Sequence, residues 1–591
     1  MSKYRKPIRK DKPEGWILKY RGDYYNGEWP TIPQIFEMAC HECPDKIFLE
    51  TFAPEHQTFT FGEALQLVRR ISEKIKSIVA EPDSKIVVSG INSPEWAICY
   101  LAVQYSGNVV IPLDNTLHEN EVRNLVEFSE AKMAFVDGRK KPYLDSMGLE
   151  AIVSLDRDIS GKDGLEYVVD WASDVEVAKS SDEFRLELLK RSENDLAAIL
   201  FTSGTTGNPK GVMLTHRNFV SDCFLAQGNL VIFRDDVFYA ILPIHHAYAM
   251  VAAFLVPISQ AATIVFGKKM IPKQIFHDVK EGKVTIFLGV PVLYNKVIAG
   301  LMDGIRKKGF LVNGFVKFMM GFFAVLKAIT GLDCSKRFFG FVTGKVSLNK
   351  VRVLISGGGP LAPIVVKQYN RLGLKFIEGY GMTETAPITT LNPKDAYKLG
   401  SVGRVLPGME MKIKDANADG NGLVCFRGPN IMKGYLKNDE ATREIIDEDG
   451  FINTGDIGHI DGDNYLFLTG RQKNIIVTSG GKNVFPEEIE NEFQLFTDID
   501  EVMIAGYAMS DGSEGIMAVV QPSEALIRQY ADDKPACQER IQQSVDAVNR
   551  ALATYKKISK LVITYDPFPM SSTKKIKRPV AMQMLKDKGL I

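Results

Sequence analysis

The sequence predicts an α/β protein in two parts. A large N-terminal domain of helix-covered parallel sheets also carries a β-hairpin or barrel portion, and a small α+β domain follows it. Three observations lead there. Short β-branched runs alternate with helical stretches along most of the chain, the pattern of strand, crossover helix, strand. From about Met409 the texture changes to short strands broken by Gly/Asp/Asn turns (DANADGNG, DGDN), which read as antiparallel hairpins. At 591 residues the chain is too long for one core, and a compact mixed piece remains after Gln472.

Taken in order, Lys85–Val88 reads as a strand, Pro94–Tyr105 as a helix, Val109–Ile111 and Lys132–Val136 as strands. The pattern returns at Leu196–Phe201, Thr263–Phe266, Val284–Leu288 and Val351–Ile355. No internal repeat or low-complexity linker separates these elements. The N-terminus, MSKYRKPIRKDKPEG, is basic with no apolar run behind it, so no signal peptide is expected and the protein is placed in the cytoplasm. Seven cysteines in so long a chain suit a reducing compartment. Cys40 and Cys43 form a single C-x-x-C without a second pair to complete a zinc site, and are expected to be core or helix-face residues. With 72 basic against 72 acidic residues there is no net field to attract nucleic acid.

The most informative stretch is Leu200–His216, LFTSGTTGNPKGVMLTH. Two apolar runs, ending near Phe201 and resuming at Val212, flank Thr202, Ser203, Gly204, Thr205, Thr206, Gly207, Asn208, Pro209, Lys210 and Gly211. Hydroxyl donors, flexible glycines and one cation are what a polyphosphate requires, because glycine lets backbone N–H groups converge on an anion and lysine adds a point charge. A plain hydroxyl-rich turn is the alternative. A Walker P-loop is not, since that motif needs a Ser or Thr directly after its lysine.

Further motifs follow in line: Ser356-Gly357-Gly358-Gly359-Pro360-Leu361 after the VRVLI run; Glu378-Gly379-Tyr380-Gly381-Met382-Thr383-Glu384; Gly434-Tyr435; Thr454-Gly455-Asp456; and GRQKNIIVTSGGKNVFPEEIE from Gly470 to Glu490. Together with the loop, their order and spacing resemble the AMP-forming adenylating superfamily, which includes acyl-CoA synthetases, luciferases and peptide-synthetase adenylation domains. The resemblance implies a domain boundary at Arg471–Lys473, dividing the chain into 1–471 and a mobile C-terminal lid of 472–591.

The roles it implies fit adenylation chemistry, in which a carboxylate attacks the α-phosphorus of ATP. The glycine loop and Lys210 would hold the β- and γ-phosphates. Thr383 would donate to the α-phosphate, and Glu384 would ligate Mg²⁺. Tyr380 would give adenine a flat face opposite the backbone of Gly357–Gly359, where the family usually has alanine in place of Gly359. Glu378, Gly379 and Gly381 complete that wall. Asp456 would bind the ribose diol, Arg471 the ribose or phosphate, and Lys473 would sit at the hinge.

The family's tail resembles P-x-T-x-S-G-K-I, and here Pro569–Ile576 reads PMSSTKKI. Aligning its ends makes Lys575 the catalytic lysine, bridging the attacking carboxylate and the α-phosphate, with Lys574 in place of the usual glycine. Two alternatives stay open: that Lys574 acts instead, or that neither does and the tail is merely a solvated basic run.

After adenylation the lid of family members rotates, so that Gly480-Gly481 would line a pantetheine tunnel for the coenzyme A thiol. His246, in PIHHAYA, matches the position that gates the acyl pocket, and the resemblance of the segment Gly289-Val290-Pro291 assigns Gly289 to that pocket; His245 and His246 could instead be core or loop residues. These features, with the chain length, most resemble bacterial long-chain fatty acid–CoA ligases. A long chain suits an apolar tunnel, where a dozen methylenes contribute on the order of 10 kcal/mol before ordering costs. Three other readings are an acyl-[acyl carrier protein] synthetase, a ligase that releases acyl-AMP, and a nucleotide-binding protein without turnover.

An insert at about 305–350 has its own signal. Between Arg306 and Lys350 lie nine basic residues against Asp333 alone, interleaved with phenylalanines and methionines. Such a stretch fits a surface helix on an anionic bilayer, or one packed on its own domain or on a second copy in a homodimer. Its longest uninterrupted apolar run, Phe318–Leu326, predicts that it does not span a membrane.

Overall fold

The computed structural model describes residues 13–159, 165–202, 209–478, 482–509, 514–531, 533–570 and 575–591. Two large sheets and two small ones organise it. The first has seven strands in the order 434–435, 210–215, 196–202, 109–112, 85–89, 131–136 and 151–154. Its centre is parallel and buried on both faces, as an unbroken run such as Val109–Pro112 requires. Two of its strands matter below: β1 (Leu196–Thr202) and β2 (Lys210–Thr215), an antiparallel pair joined by the glycine loop.

The second sheet has thirteen strands. One half is parallel and includes 47–51, 263–266, 237–240, 286–289, β3 (Val353–Ser356) and β4 (Phe376–Gly381). At β4 the pairing becomes antiparallel and continues through 388–391, 403–405, β5 (Tyr465–Arg471), β6 as its partner (Ile452–Ile460), 422–427 and 410–414. The expected alternation is present, with the helix Pro94–Tyr105 and the strand Thr263–Phe266 at the bounds read from sequence. The antiparallel part starts before Met409, at Ile388, because Pro387 and Gly403 turn the chain back on itself earlier than the Gly/Asp/Asn texture reveals.

After Arg471 the strands pair only among themselves, 476–477 with 483–484 and 499–508 with 514–522 and 560–563. They build two small cores of their own, one around Ile489, Ile504 and Ile541, the other around Met503, Phe568 and Leu585.

Three helices pack on one another: α1 (Pro291–Arg306), α2 (Phe310–Thr330) and α3 (Pro363–Arg371). Here the length argument against a membrane span fails. Lys317 and Lys327 bound the apolar run but not the helix, whose 21 residues are long and apolar enough to cross a bilayer. At 1.5 Å per residue it measures about 31 Å. Cys40 and Cys43 are buried, as expected of core cysteines, and Cys334 alone of the seven is exposed.

Candidate active site

The nucleotide side is built where the sheets meet. Residues 203–208, which hold Ser203, Gly204, Thr205, Thr206 and Gly207, lie outside the described residues, but both ends of their loop are fixed. Thr202 and Lys210 face each other across the β1–β2 ladder. The Lys210 ammonium sits 4.7 Å from the centre of the Tyr435 ring. The Tyr435 hydroxyl in turn donates to Glu384 Oε1 at 2.7 Å. Gly434–Tyr435 reaches this place by pairing with β2, so the phosphate-loop lysine and the acidic residue of the TE motif share one tyrosine. Sequence reading named Gly434-Tyr435 as a motif and gave it no role. Glu384 is buried, Thr383 half-buried beside it.

β4 carries Glu378, Gly379, Tyr380 and Gly381 along the parallel-to-antiparallel switch. No side chain fits at Gly381, where a Cβ would fall on the Pro387 carbonyl. Tyr380 donates its hydroxyl to Asp456 Oδ2 at 2.5 Å. Asp456 Oδ1 lies 3.2 Å from Arg471 Nε, and the two residues are register partners across β6 and β5. Thus the residues read as adenine wall, ribose acceptor and boundary arginine meet at a single carboxylate. Glu378 is buried and accepts from Tyr397 at 2.7 Å; burial pushes its carboxyl up to about 7, with the tyrosine bond opposing.

Lys575, in the C-terminal part, lies near enough to Arg471 and Asp456 for both charges to act on it. A bridge between Met570 and Ile576 and a bond from the Lys577 amide to the Pro569 carbonyl hold the residues on either side of the tail motif together. The lysine side chain remains solvent-accessible yet surrounded by protein, as in an open cleft. Desolvation lowers its pKa, the Arg471 charge lowers it further, and Asp456 opposes both. Lys574 falls outside the described residues, as do Gly480 and Gly481. Lys473 lies exposed in the short 3-10 turn after β5. A contact absent from the sequence reading holds the two parts together: Gln494 donates to the Pro360 carbonyl at 3.1 Å and accepts from the Ala362 amide at 2.8 Å. It thereby clasps the end of the Gly357–Gly359 shelf.

The acyl side differs in character. Gly289 and Ser356 are register partners at the ends of their strands. Tyr248 covers the shelf; a Cβ on Gly357 would stand 2.9 Å from its ring, while one on Gly359 would make ordinary contact with Pro291 at 3.6 Å, which is why alanine suits that position in the family. A Cβ on Gly289 would meet the Tyr294 ring at 2.7 Å. The rings of His245 and His246 stack tilted, 4.1 Å apart. Both Nε2 atoms are buried without a hydrogen-bond partner, as is the Ser356 hydroxyl. Asp114 stands 3.7 Å from His245 Nε2, an ion-pair distance too long for a hydrogen bond. Burial, then the His245 charge, pushes His246 down to about 3, so its imidazole is neutral. Burial alone would raise the Asp114 carboxyl; His245 and the Thr116 amide hold it well below the usual carboxylate range. The ligand atoms of these three residues lie within 4.8 Å of one another. Asp114 and Tyr248 escaped sequence reading because neither stands in a glycine-rich motif.

The chain is similar to known proteins in both sequence and fold. A family model described as AMP-binding enzyme matches residues 36–436, and one described as AMP-binding enzyme C-terminal domain matches 473–588. A long-chain-fatty-acid–CoA ligase of Gallus gallus is 26% identical over 97% of this chain and 79% of its own. Another, of Cavia porcellus, is 30% identical over 77% of this chain and 68% of its own. The crystal structure of ATP-bound MatB from Rhodopseudomonas palustris superposes with a TM-score of 0.74 at 26% identity, covering 94% of this chain and 99% of that one.

Proposed function

The chain belongs to the AMP-binding enzyme family, and on that footing we propose that it is an AMP-forming long-chain fatty acid–CoA ligase. It acts in two half-reactions within one cleft. The fatty acid carboxylate attacks the α-phosphorus of ATP, forming acyl-AMP and expelling pyrophosphate. The thiol of coenzyme A then attacks the acyl carbon, the sulfur–carbon bond forms, and AMP leaves with the electron pair of the broken bond.

The observation that carries this reading is the meeting of Tyr380 and Arg471 on Asp456, with Lys575 near enough for its charge to act on both ionic groups. That meeting supports Lys575 as the cation that spans carboxylate and α-phosphate, stabilising charge as it develops. Asp456 exchanges its tyrosine partner for the ribose hydroxyls, and Arg471 holds the nucleotide from the boundary. Lys210 and the glycine loop neutralise the terminal phosphates, with Thr383 donating to the α-phosphate. Glu384, buried and already oriented by Tyr435, fits a divalent cation, and Mg²⁺ there would neutralise phosphate charge. Neutral His246 gates the acyl pocket beside Gly289 without placing a charge against an apolar chain. Rotation at Lys473 would bring Gly480–Gly481 to the cleft for the second step.

We place this chemistry in the cytoplasm, with peripheral contact to the inner face of the membrane through residues 305–350. The test is product formation from ATP, Mg²⁺ and a panel of fatty acids. AMP and acyl-CoA appearing together, fastest with long chains, are expected. AMP release only with acyl carrier protein, which presents the same pantetheine arm, would replace coenzyme A as acceptor. No AMP with any acid would overturn the ligase reading.

A further inference from the structure

Helix α2 has two faces. Toward the protein, Val316 and Met320 are buried, and the Phe323 ring packs 5.0 Å from Phe338 and 6.0 Å from Phe339. Toward solvent, Leu311, Phe315, Phe318, Phe322, Val325 and Ile329 recur every three or four residues and form one continuous apolar stripe. Leu311 is 83% exposed, Phe318 68% and Ile329 78%. A stripe of this size facing water requires a partner.

Charge decides which partner. The chain as a whole is neutral, yet residues 306–350 hold nine cations and one acid. Arg306, Lys307, Lys308, Lys317 and Arg337 are all exposed around the stripe. A second copy docking through the same face would bring these cations against themselves, because a twofold interface repeats one surface on both sides. An anionic leaflet supplies the complement to both features, hydrocarbon for the stripe and phosphate for the rim. Packing also fixes the orientation. A span would strip Val316 and Met320 from their contacts, whereas a helix lying in the interface keeps them.

We propose that α2 is an interfacial anchor, inserting its Leu311–Ile329 stripe into an anionic lipid leaflet with its axis in the membrane plane. On the ligase reading there is a consequence for the substrate. α2 packs on α1, the helix that starts two residues after Gly289, so the anchor sets the acyl side of the site against the phase in which long-chain acids dissolve.

Cys334, just past the end of α2 and the sole exposed thiol, allows a direct test in the full-length protein. With a polarity-sensitive thiol dye there, phosphatidylglycerol vesicles should shift its emission to the blue and carry the protein down on sedimentation. Phosphatidylcholine vesicles should do neither, and salt should weaken the effect. Phe318→Asp with Phe322→Asp should abolish binding while turnover of a soluble medium-chain acid stays unchanged. Lys307→Gln, Lys308→Gln and Lys317→Gln together should lower it without touching the stripe. Failure to bind phosphatidylglycerol vesicles overturns the anchor, as does self-association that the Phe318/Phe322 pair abolishes, which would assign the face to a second copy. Vesicle binding that persists while no acid yields AMP would leave the anchor standing and overturn the ligase reading alone.

Discussion

The nucleotide side and the acyl side of the cleft are built on opposite plans. On the nucleotide side the polar groups already hold one another: Tyr380 and Arg471 on Asp456, Tyr435 on Glu384, Tyr397 on Glu378. On the acyl side two imidazole nitrogens and a serine hydroxyl are buried without hydrogen bonds, and aromatic rings cover a glycine floor. The difference teaches how each ligand is read. On the proposed reading a nucleotide is recognised by hydrogen bonds, so its acceptors are oriented in advance and would exchange partners on binding. A fatty chain has nothing to hydrogen-bond, so shape and the exclusion of charge select it, and discrimination per methylene is small.

The comparison breaks hardest at Lys575. Lys575→Ala should slow acyl-adenylate formation by about 10²–10³-fold, measured in single turnover, while thioester formation from supplied acyl-AMP is largely retained. Equal loss of both half-reactions would move the lysine out of the first step. Next comes Asp456→Asn, which removes a charge-assisted acceptor worth about 1.5–3 kcal/mol. The KM for ATP should rise roughly ten- to a hundredfold, with the KM for fatty acid unmoved. His246→Ala should do the reverse, altering chain-length preference and the acid's KM but not that of ATP. If either variant shifts both constants together, the two sides are not independent.

Glu378 gives a pH signature. Its folded pKa, about 7, lies above the ordinary carboxylate value of 4.5. Between those two pH values the folded state therefore binds more protons than the unfolded one, and stability falls as pH rises through that window. The loss is on the order of 3 kcal/mol, read as a melting-temperature difference across the window, and Glu378→Gln should flatten it. The smallest effect belongs to Gln494→Ala, about 1 kcal/mol of docking between the two parts. Faster proteolysis near Lys473 would report it, and unchanged cleavage would show that the clasp does not hold the lid.

Much of the fold was legible because period and punctuation carry it. The buried parallel strands read as short β-branched runs, and the hairpins announced themselves through DANADGNG and DGDN. The glycine motifs were legible too, since Gly381 admits no side chain at all. What escaped were contacts between distant segments. Asp114 meets His245, Tyr248 roofs Gly357, and Gln494 clasps Pro360, each by tertiary packing that leaves no local pattern. The length of α2 escaped for a different reason. Counting uninterrupted apolar residues treats Lys317 and Lys327 as ends, although long lysine side chains can turn their charge away from an apolar face without breaking a helix.

The thirteen-stranded sheet also determines where this protein can be divided. β4 bonds to a parallel neighbour on one side and an antiparallel one on the other, so any cut between those halves bares a full ladder edge. After Arg471 no strand of either large sheet remains to be severed. The seam proposed as the hinge is thus also a place where a lid from another chain could be grafted without unravelling its host.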